Sequence, residues 1–272
     1  MKMFATAVVL ATLAATAPAL SQVASAPSAL DENNPWPALK ADLFGDRTII
    51  QTNDLVTLEA PGRAEDAAIV PVTVKIPASV GPIKSLTIVV DKNPAPIAAT
   101  FTFGPAAGAG DRMISTRLRF DAYSDLRAIV ETADGSLLMA TRFVKAAGGC
   151  SAPNLKDADE ALANLGRTQV RSLAAVDGAP ENRIGLVMVR HPNYSGMQMN
   201  QETGYYIPAK YVTAMDVSRG GVRVFKLDAG ISLSADPNIR FTFANATDSQ
   251  LAVSIGDSDG NVFTAQSAPS GS

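Results

Sequence analysis

From Leu55 onward, apolar residues recur at every second position in short runs cut by glycine and proline. That rhythm restricts the chain to short strands in packed sheets. Leu55 to Glu59 ends at Ala60-Pro61-Gly62. Val70 to Ile76, Ser85 to Val90, Thr100 to Phe103, Met113 to Phe120, Leu126 to Thr132 and Leu137 to Val144 follow, with Asp134-Gly135 as a hairpin turn between the last two. A second series comprises Ile184 to Arg190, Tyr211 to Ser218, Val222 to Asp228, Arg240 to Ala244, Leu251 to Asp257 and Val262 to Gln266, with Gln169 to Ala174 as a further candidate. Its turns are Arg219-Gly220-Gly221 and Asp259-Gly260-Asn261. The prediction is an all-β protein of two immunoglobulin-like β-sandwiches in tandem, with antiparallel pairing. A total of 17 prolines and 20 glycines fits many turns better than long helices.

Two short helices interrupt the strands. Trp36, Leu39 and Leu43 share a helical face that stops at Gly45. Between the two series, Asn154 can cap a helix lined by Leu155, Ala158, Leu162 and Leu165, with Gly166 as its terminator. Met1-Lys2-Met3 and the apolar run Phe4 to Ala17, ended by Pro18 and small residues to Ser21, read as a Sec-type signal peptide and place the mature protein in the periplasm. No second run of spanning length follows, so no membrane association is expected of the mature form. The expected organisation is a signal peptide at 1–21, a first sandwich at 22–150 starting from a disordered stretch to Asn34, a helical linker at 151–167 and a second sandwich at 168–272 with a frayed end. Asp177 to Pro180 reads as a loop.

The net charge of −3 and the lack of a basic run argue against nucleic acid as a partner. No phosphate-cradling loop, dinucleotide fingerprint or nucleophile elbow occurs, and no cofactor is expected. One histidine and one cysteine cannot supply a zinc set, so no metal is expected either. Met197 and Met199 suit packing better than copper binding. Asp257, Asp259 and Asn261 around Gly260 read as a turn rather than half a calcium loop, and His191 before Pro192 as a turn residue.

The chemistry therefore turns on Cys150, the single cysteine, within Ala146-Ala147-Gly148-Gly149-Cys150-Ser151-Ala152-Pro153. In an oxidising compartment a thiol with no intramolecular partner is left with a mixed disulfide, a covalent cargo or a reactive free state. Gly148 and Gly149 are expected to give a flexible, solvated arm, which extended from residue 146 could reach about 17 Å. Lys145 and Lys156 lie close in sequence as positive charges for a thiolate. The alternative is a partly buried, inert cysteine between domains. The solvated arm predicts protease sensitivity between about residues 146 and 153. It also predicts a stability change of about 0.5 kcal/mol or less for Cys150→Ser.

Several stretches resemble the two subunits of the SoxYZ sulfur carriers, joined in one chain. Resembling SoxY are Ala60-Pro61-Gly62-Arg63-Ala64-Glu65-Asp66 before Val70-Pro71-Val72, Val90-Asp91-Lys92-Asn93-Pro94-Ala95-Pro96, Ser115-Thr116-Arg117-Leu118-Arg119 and Gly148-Gly149-Cys150. Resembling SoxZ are Val189-Arg190-His191-Pro192, Tyr206-Ile207-Pro208-Ala209-Lys210-Tyr211-Val212, Ile231-Ser232-Leu233-Ser234-Ala235-Asp236-Pro237 and Ser258-Asp259-Gly260. The chain departs from the family where Cys150 is not terminal, where Ser151-Ala152-Pro153 replaces glycines, and where Asn193-Tyr194-Ser195-Gly196 replaces an acidic stretch. The fused form resembles the quinoprotein dehydrogenase-associated SoxYZ-like group. The resemblance implies a non-enzymatic carrier that holds a sulfur-containing intermediate on Cys150 and presents it to periplasmic partner enzymes of sulfur oxidation or of a quinoprotein dehydrogenase system. It also implies pairing of the two halves, with Tyr205, Tyr206 and Tyr211 as candidate contacts. The alternative function is a non-covalent accessory or chaperone module of a periplasmic quinoprotein (PQQ) alcohol dehydrogenase.

Overall fold

The period-two runs form the strands of two sheets in the computed structural model, which describes residues 34–153, 158–176, 179–246 and 250–268. The expected signal peptide, most of the disordered start, the Asn154 cap with Leu155, the Asp177-Gly178 turn and the end of the tail lie outside the described residues. In the first half the strands are β1 (Ile49–Gln51), β2 (Thr57–Glu59), β3 (Val70–Ile76), β4 (Ile83–Val90), β5 (Ile97–Phe103), β6 (Arg112–Leu118), β7 (Ser124–Thr132) and β8 (Leu137–Val144). In the second half they are β9 (Thr168–Val176), β10 (Ala179–Val189), β11 (Val212–Arg219), β12 (Val222–Ala229), β13 (Asn238–Ala244), β14 (Leu251–Asp257) and β15 (Val262–Gln266). Helix α1 spans Trp36–Phe44 and α2 spans Ala158–Ala163. Ala179 and Pro180, expected in a loop, begin β10. β1, too short to show a period, pairs parallel to β8.

The all-β expectation holds, and each sheet runs through both halves. One has nine strands in the order β1-β8-β7-β4-β5-β12-β11-β14-β15; the other has six, β2-β3-β6-β13-β10-β9. The seam is antiparallel in both sheets. β5 meets β12 from Ala99↔Ala229 to Phe103↔Phe225, and β6 meets β13 at Ser115↔Arg240 and Ile114↔Phe241. Alternate side chains from the two sheets fill one apolar core, in which Phe101 meets Phe225 edge to face across the seam and Phe241 and Phe243 continue the stack within the second half. Tyr205 and Tyr206 are not seam contacts. They are 78% and 67% exposed, because backbone ladders and this aromatic core join the halves instead.

Outside the nine-stranded sheet, Trp36, Leu39, Leu43 and Phe44 of α1 cover Val89, Ile129, Leu137 and Met139. Beneath the helix Arg127 forms a two-pronged ion pair with buried Asp91 (2.7–2.9 Å), its guanidinium 4.3 Å from the Trp36 ring centroid.

Candidate functional site

The chain leaving β6 carries the first part of the site. Arg119 N donates to Ser232 O and Phe120 N to Ala67 O, both at 2.8 Å. Asn93 secures the same stretch: its Oδ1 accepts from Asp121 N at 2.8 Å, while Nδ2 donates to Arg119 O at 2.7 Å and to Ser232 Oγ at 2.9 Å. Ser234 adds an N–H to Arg117 O and a hydroxyl to Ala68 O. The Ile231–Pro237 stretch of the second half is thus stitched to the strand end that lies beside the cysteine.

The cysteine segment returns along that strand end. Lys145 N donates to Gly62 O at 3.0 Å, and Lys145 O accepts from Ala64 N at 3.2 Å. The chain then turns at Gly148, whose φ is +79°, so that Gly148 N reaches Asp121 O at 2.9 Å and Gly149 N reaches Phe120 O at 2.8 Å. A Cβ on Gly149 would overlap the carbonyl of Ala67 and stand 2.8 Å from Phe120 O. Cys150 O accepts from Ser195 Oγ at 2.5 Å. Arg119 spans the gap, donating Nη1 to Gly149 O at 3.1 Å and Nη2 to Asn193 O at 3.3 Å.

The second half completes the seat through the residues that follow His191. Asn193 has φ +46°, is fully buried, and is tied at every polar atom. Its N donates to His191 Nδ1, its Nδ2 to Leu233 O, and its Oδ1 accepts from Val212 N. Gln198 Oε1 accepts from Ser195 N at 2.8 Å, which orients the serine toward Cys150. His191 is buried, with Nε2 3.5 Å from Asp257 Oδ2; burial holds the imidazole below its ordinary pKa against the pull of that carboxylate. With Nδ1 on Asn193 and Nε2 facing Asp257, His191 offers the thiol no base. Asp257 in turn accepts from Asp259 N and from both Asn261 N and Nδ2, which makes this segment a tightly bonded hairpin turn.

The solvated arm expected at Ala146 to Pro153 is corrected here. Cys150 is 0% exposed, and the glycines serve a turn and a close backbone approach in place of mobility. Burial pushes the Cys150 thiol up to about 12; the Asp121 charge adds to this and Arg119 opposes it. A thiol so placed is neutral at physiological pH and does not attack. Lys156 lies outside the described residues, and Lys145 is not among the groups that act on the thiol; among the described residues Arg119 is the cation that does. Sequence reasoning missed Arg119, Asn193, Ser195 and Gln198 as site residues. Arg119, Asn193 and Ser195 do fall within stretches that carry the family resemblance or its departure, but nothing local separates them from ordinary strand or loop polar residues.

Comparison with known proteins fits this two-part construction. Residues 40–150 match the family described as sulfur oxidation protein SoxY, and residues 181–268 match sulphur oxidation protein SoxZ. No curated protein matches the chain. Among solved structures, the sulfur carrier protein SoxY from Chlorobium limicola f thiosulfatophilum shares 27% identity, covering 42% of this chain and 97% of its own, with a TM-score of 0.35. A superoxide reductase (neelaredoxin) from Ignicoccus hospitalis shares 16% identity over 36% of this chain and 94% of its own, with a TM-score of 0.29. With both family matches in one polypeptide, in order and spanning most of its length, the chain belongs to the SoxYZ sulfur-oxidation proteins as a fused SoxY–SoxZ form.

Proposed function

We propose that this protein is an exported covalent carrier that holds a sulfur-containing intermediate on Cys150 and presents it to periplasmic enzymes. At the coarser level it is a sulfur-oxidation carrier of the SoxYZ kind. The observation that carries the finer reading is positional. The SoxY match ends at Cys150, and that cysteine lies in a seat built by both halves, where Ser195 and Asn193 meet Gly149 and Arg119. Docked, the sulfur is shielded from solvent and from stray nucleophiles. Loading and unloading require the Gly148–Pro153 segment to leave this seat by breaking the hydrogen bonds of Gly148, Gly149 and Cys150, none of which belongs to a sheet ladder. Pairing of the SoxY-like and SoxZ-like halves then serves the cargo directly, since each half supplies part of the shelter.

A second reading rests on the same burial. A thiol pushed up to about 12 is also what an incidental, packed cysteine looks like, and this favours a non-covalent accessory module of a quinoprotein dehydrogenase system. Intact mass spectrometry of protein from its native compartment separates the two. Sulfur-sized or larger adducts on Cys150 are expected of the carrier. A bare thiol on protein that copurifies with a dehydrogenase, together with full complementation of a deletion strain by Cys150→Ser, would overturn it.

A further inference from the structure

Four strands bound the two sheets, and three of them are protected against further pairing. β1 and β2 are only three residues long, and β2 carries Glu59. β9 is bulged against β10 and carries Arg171. Short length, charge and bulges are the usual means by which an edge is kept from recruiting another strand. β15 has none of them. Val262-Phe263-Thr264-Ala265-Gln266 contains no charge, proline or glycine, and pairs with β14 in unbroken register from Val262↔Gly256 to Gln266↔Ala252. Asp257 N donates to Asn261 O at one end of this ladder and Ser267 N to Leu251 O at the other. The alternation of an antiparallel pair therefore spends the N–H and C=O groups of Phe263 and Ala265 on β14, and turns those of Val262, Thr264 and Gln266 outward. These outward groups have no hydrogen-bond partner among the described residues, and the three residues are exposed.

We propose that β15 is a self-association edge: it pairs antiparallel with β15 of a second copy of this chain about a two-fold axis at Thr264, which joins two nine-stranded sheets into one. The strand is complementary to itself. In that register Val262 faces Gln266 of the second copy and Thr264 faces its own counterpart, so every outward N–H meets an outward C=O. Opposed threonines are a favourable cross-strand pair. On the other face Phe263, partly buried against the core, lies opposite Ala265 of the second copy, a large side chain against a small one. No charge opposes its like, because the strand is neutral and Asp259 in the adjoining turn is closed by Lys210 at 2.7 Å. A strand from another protein would need a sequence fitted to this edge, whereas a second copy supplies the fit by symmetry. Antiparallel edge on antiparallel edge is also how β5 and β12 already unite the two halves. A contact along one short strand is small, so the dimer is weak, with a Kd of roughly 10 µM.

Analytical ultracentrifugation of the purified protein, kept reduced so that Cys150 cannot cross-link copies, tests the pairing. Over roughly 1–100 µM the weight-average mass should climb from monomer toward dimer. Thr264→Lys and Thr264→Glu each set like charges face to face at the two-fold axis and should weaken association at least tenfold. Thr264 is exposed, so both variants should melt close to the unmutated protein. Mixed in equal amounts, the lysine and glutamate variants should associate again, because the opposed charges then attract. That recovery distinguishes pairing at Thr264 from contact through any other surface. An unmutated protein that stays monomeric at about 100 µM would overturn the proposal whatever the variants do. So would a dimer indifferent to both substitutions, or two monomeric variants that fail to associate on mixing.

Discussion

Two glycine pairs in this chain look alike on paper and do opposite things. Gly220-Gly221 links β11 to β12, both residues at positive φ (+53° and +78°), and a Cβ on Gly221 would meet nothing within 4 Å. Gly148-Gly149 turns once, at Gly148, and then presses Gly149 against the backbone of Ala67 and Phe120. The first pair is glycine for its dihedral angles and the second chiefly for its missing side chain. Glycine content therefore does not encode mobility. What decides is whether neighbouring backbone has unspent hydrogen-bonding groups to offer, as Phe120 O and Asp121 O do here.

The largest effect expected from this contrast is on thiol chemistry. With the docked thiol near 12 against an ordinary 9.0, the thiolate fraction at pH 8 falls roughly 10³-fold. Iodoacetamide should therefore label native Cys150 about 10³ times more slowly than the urea-unfolded chain. Because the folded value lies above the unfolded one, the thiol's contribution to the docked state is intact below about pH 9 and is lost as pH rises through about 12. Native labelling as fast as unfolded labelling would show a free arm.

Gly149→Ala should cost about 2–4 kcal/mol, or expel the segment, because the new methyl meets backbone that cannot rotate away. Labelling of Cys150 should then rise at least tenfold. Gly221→Ala, strained only at its dihedral angle, should cost about 1 kcal/mol and leave labelling unchanged. Equal effects on labelling from the two alanines would erase the distinction drawn above.

Cys150→Ser sharpens the point further. A solvated arm predicted at most about 0.5 kcal/mol, whereas placing a hydroxyl where the sulfur is fully buried should cost about 1–2 kcal/mol in chemical denaturation. Smallest is Ser195→Ala, which removes the hydrogen bond to Cys150 O and should lose about 1 kcal/mol while raising labelling several-fold. No change in labelling from that variant would detach the second half from the seat.

Much of the fold was legible because it is written locally. β3 matches its period-two run from Val70 to Ile76, buried at every second residue, and Trp36, Leu39 and Leu43 announce the face of α1. β1 was not legible, since three residues hold no period. Nor was the seam: Phe103 pairs with Phe225 across more than a hundred residues, and nothing near either phenylalanine specifies the other. The site was half readable. Cys150 stood out by being single, but its surroundings depend on Arg119, Asn193 and Ser195 arriving from distant segments. Buried hydrogen bonding of that kind leaves no spacing in a sequence.

The shared sheets also set an order of events while the chain is made. When β8 has been synthesised, the first half is complete in itself, yet β5 and β6 still present open edges, whose partners β12 and β13 lie more than a hundred residues downstream of each. Unpaired edges recruit other chains, and long-range pairing is slow to find. The nascent chain is therefore most vulnerable to aggregation between the appearance of β8 and that of β13. Any holdase that guards this protein has those two edges as its natural target.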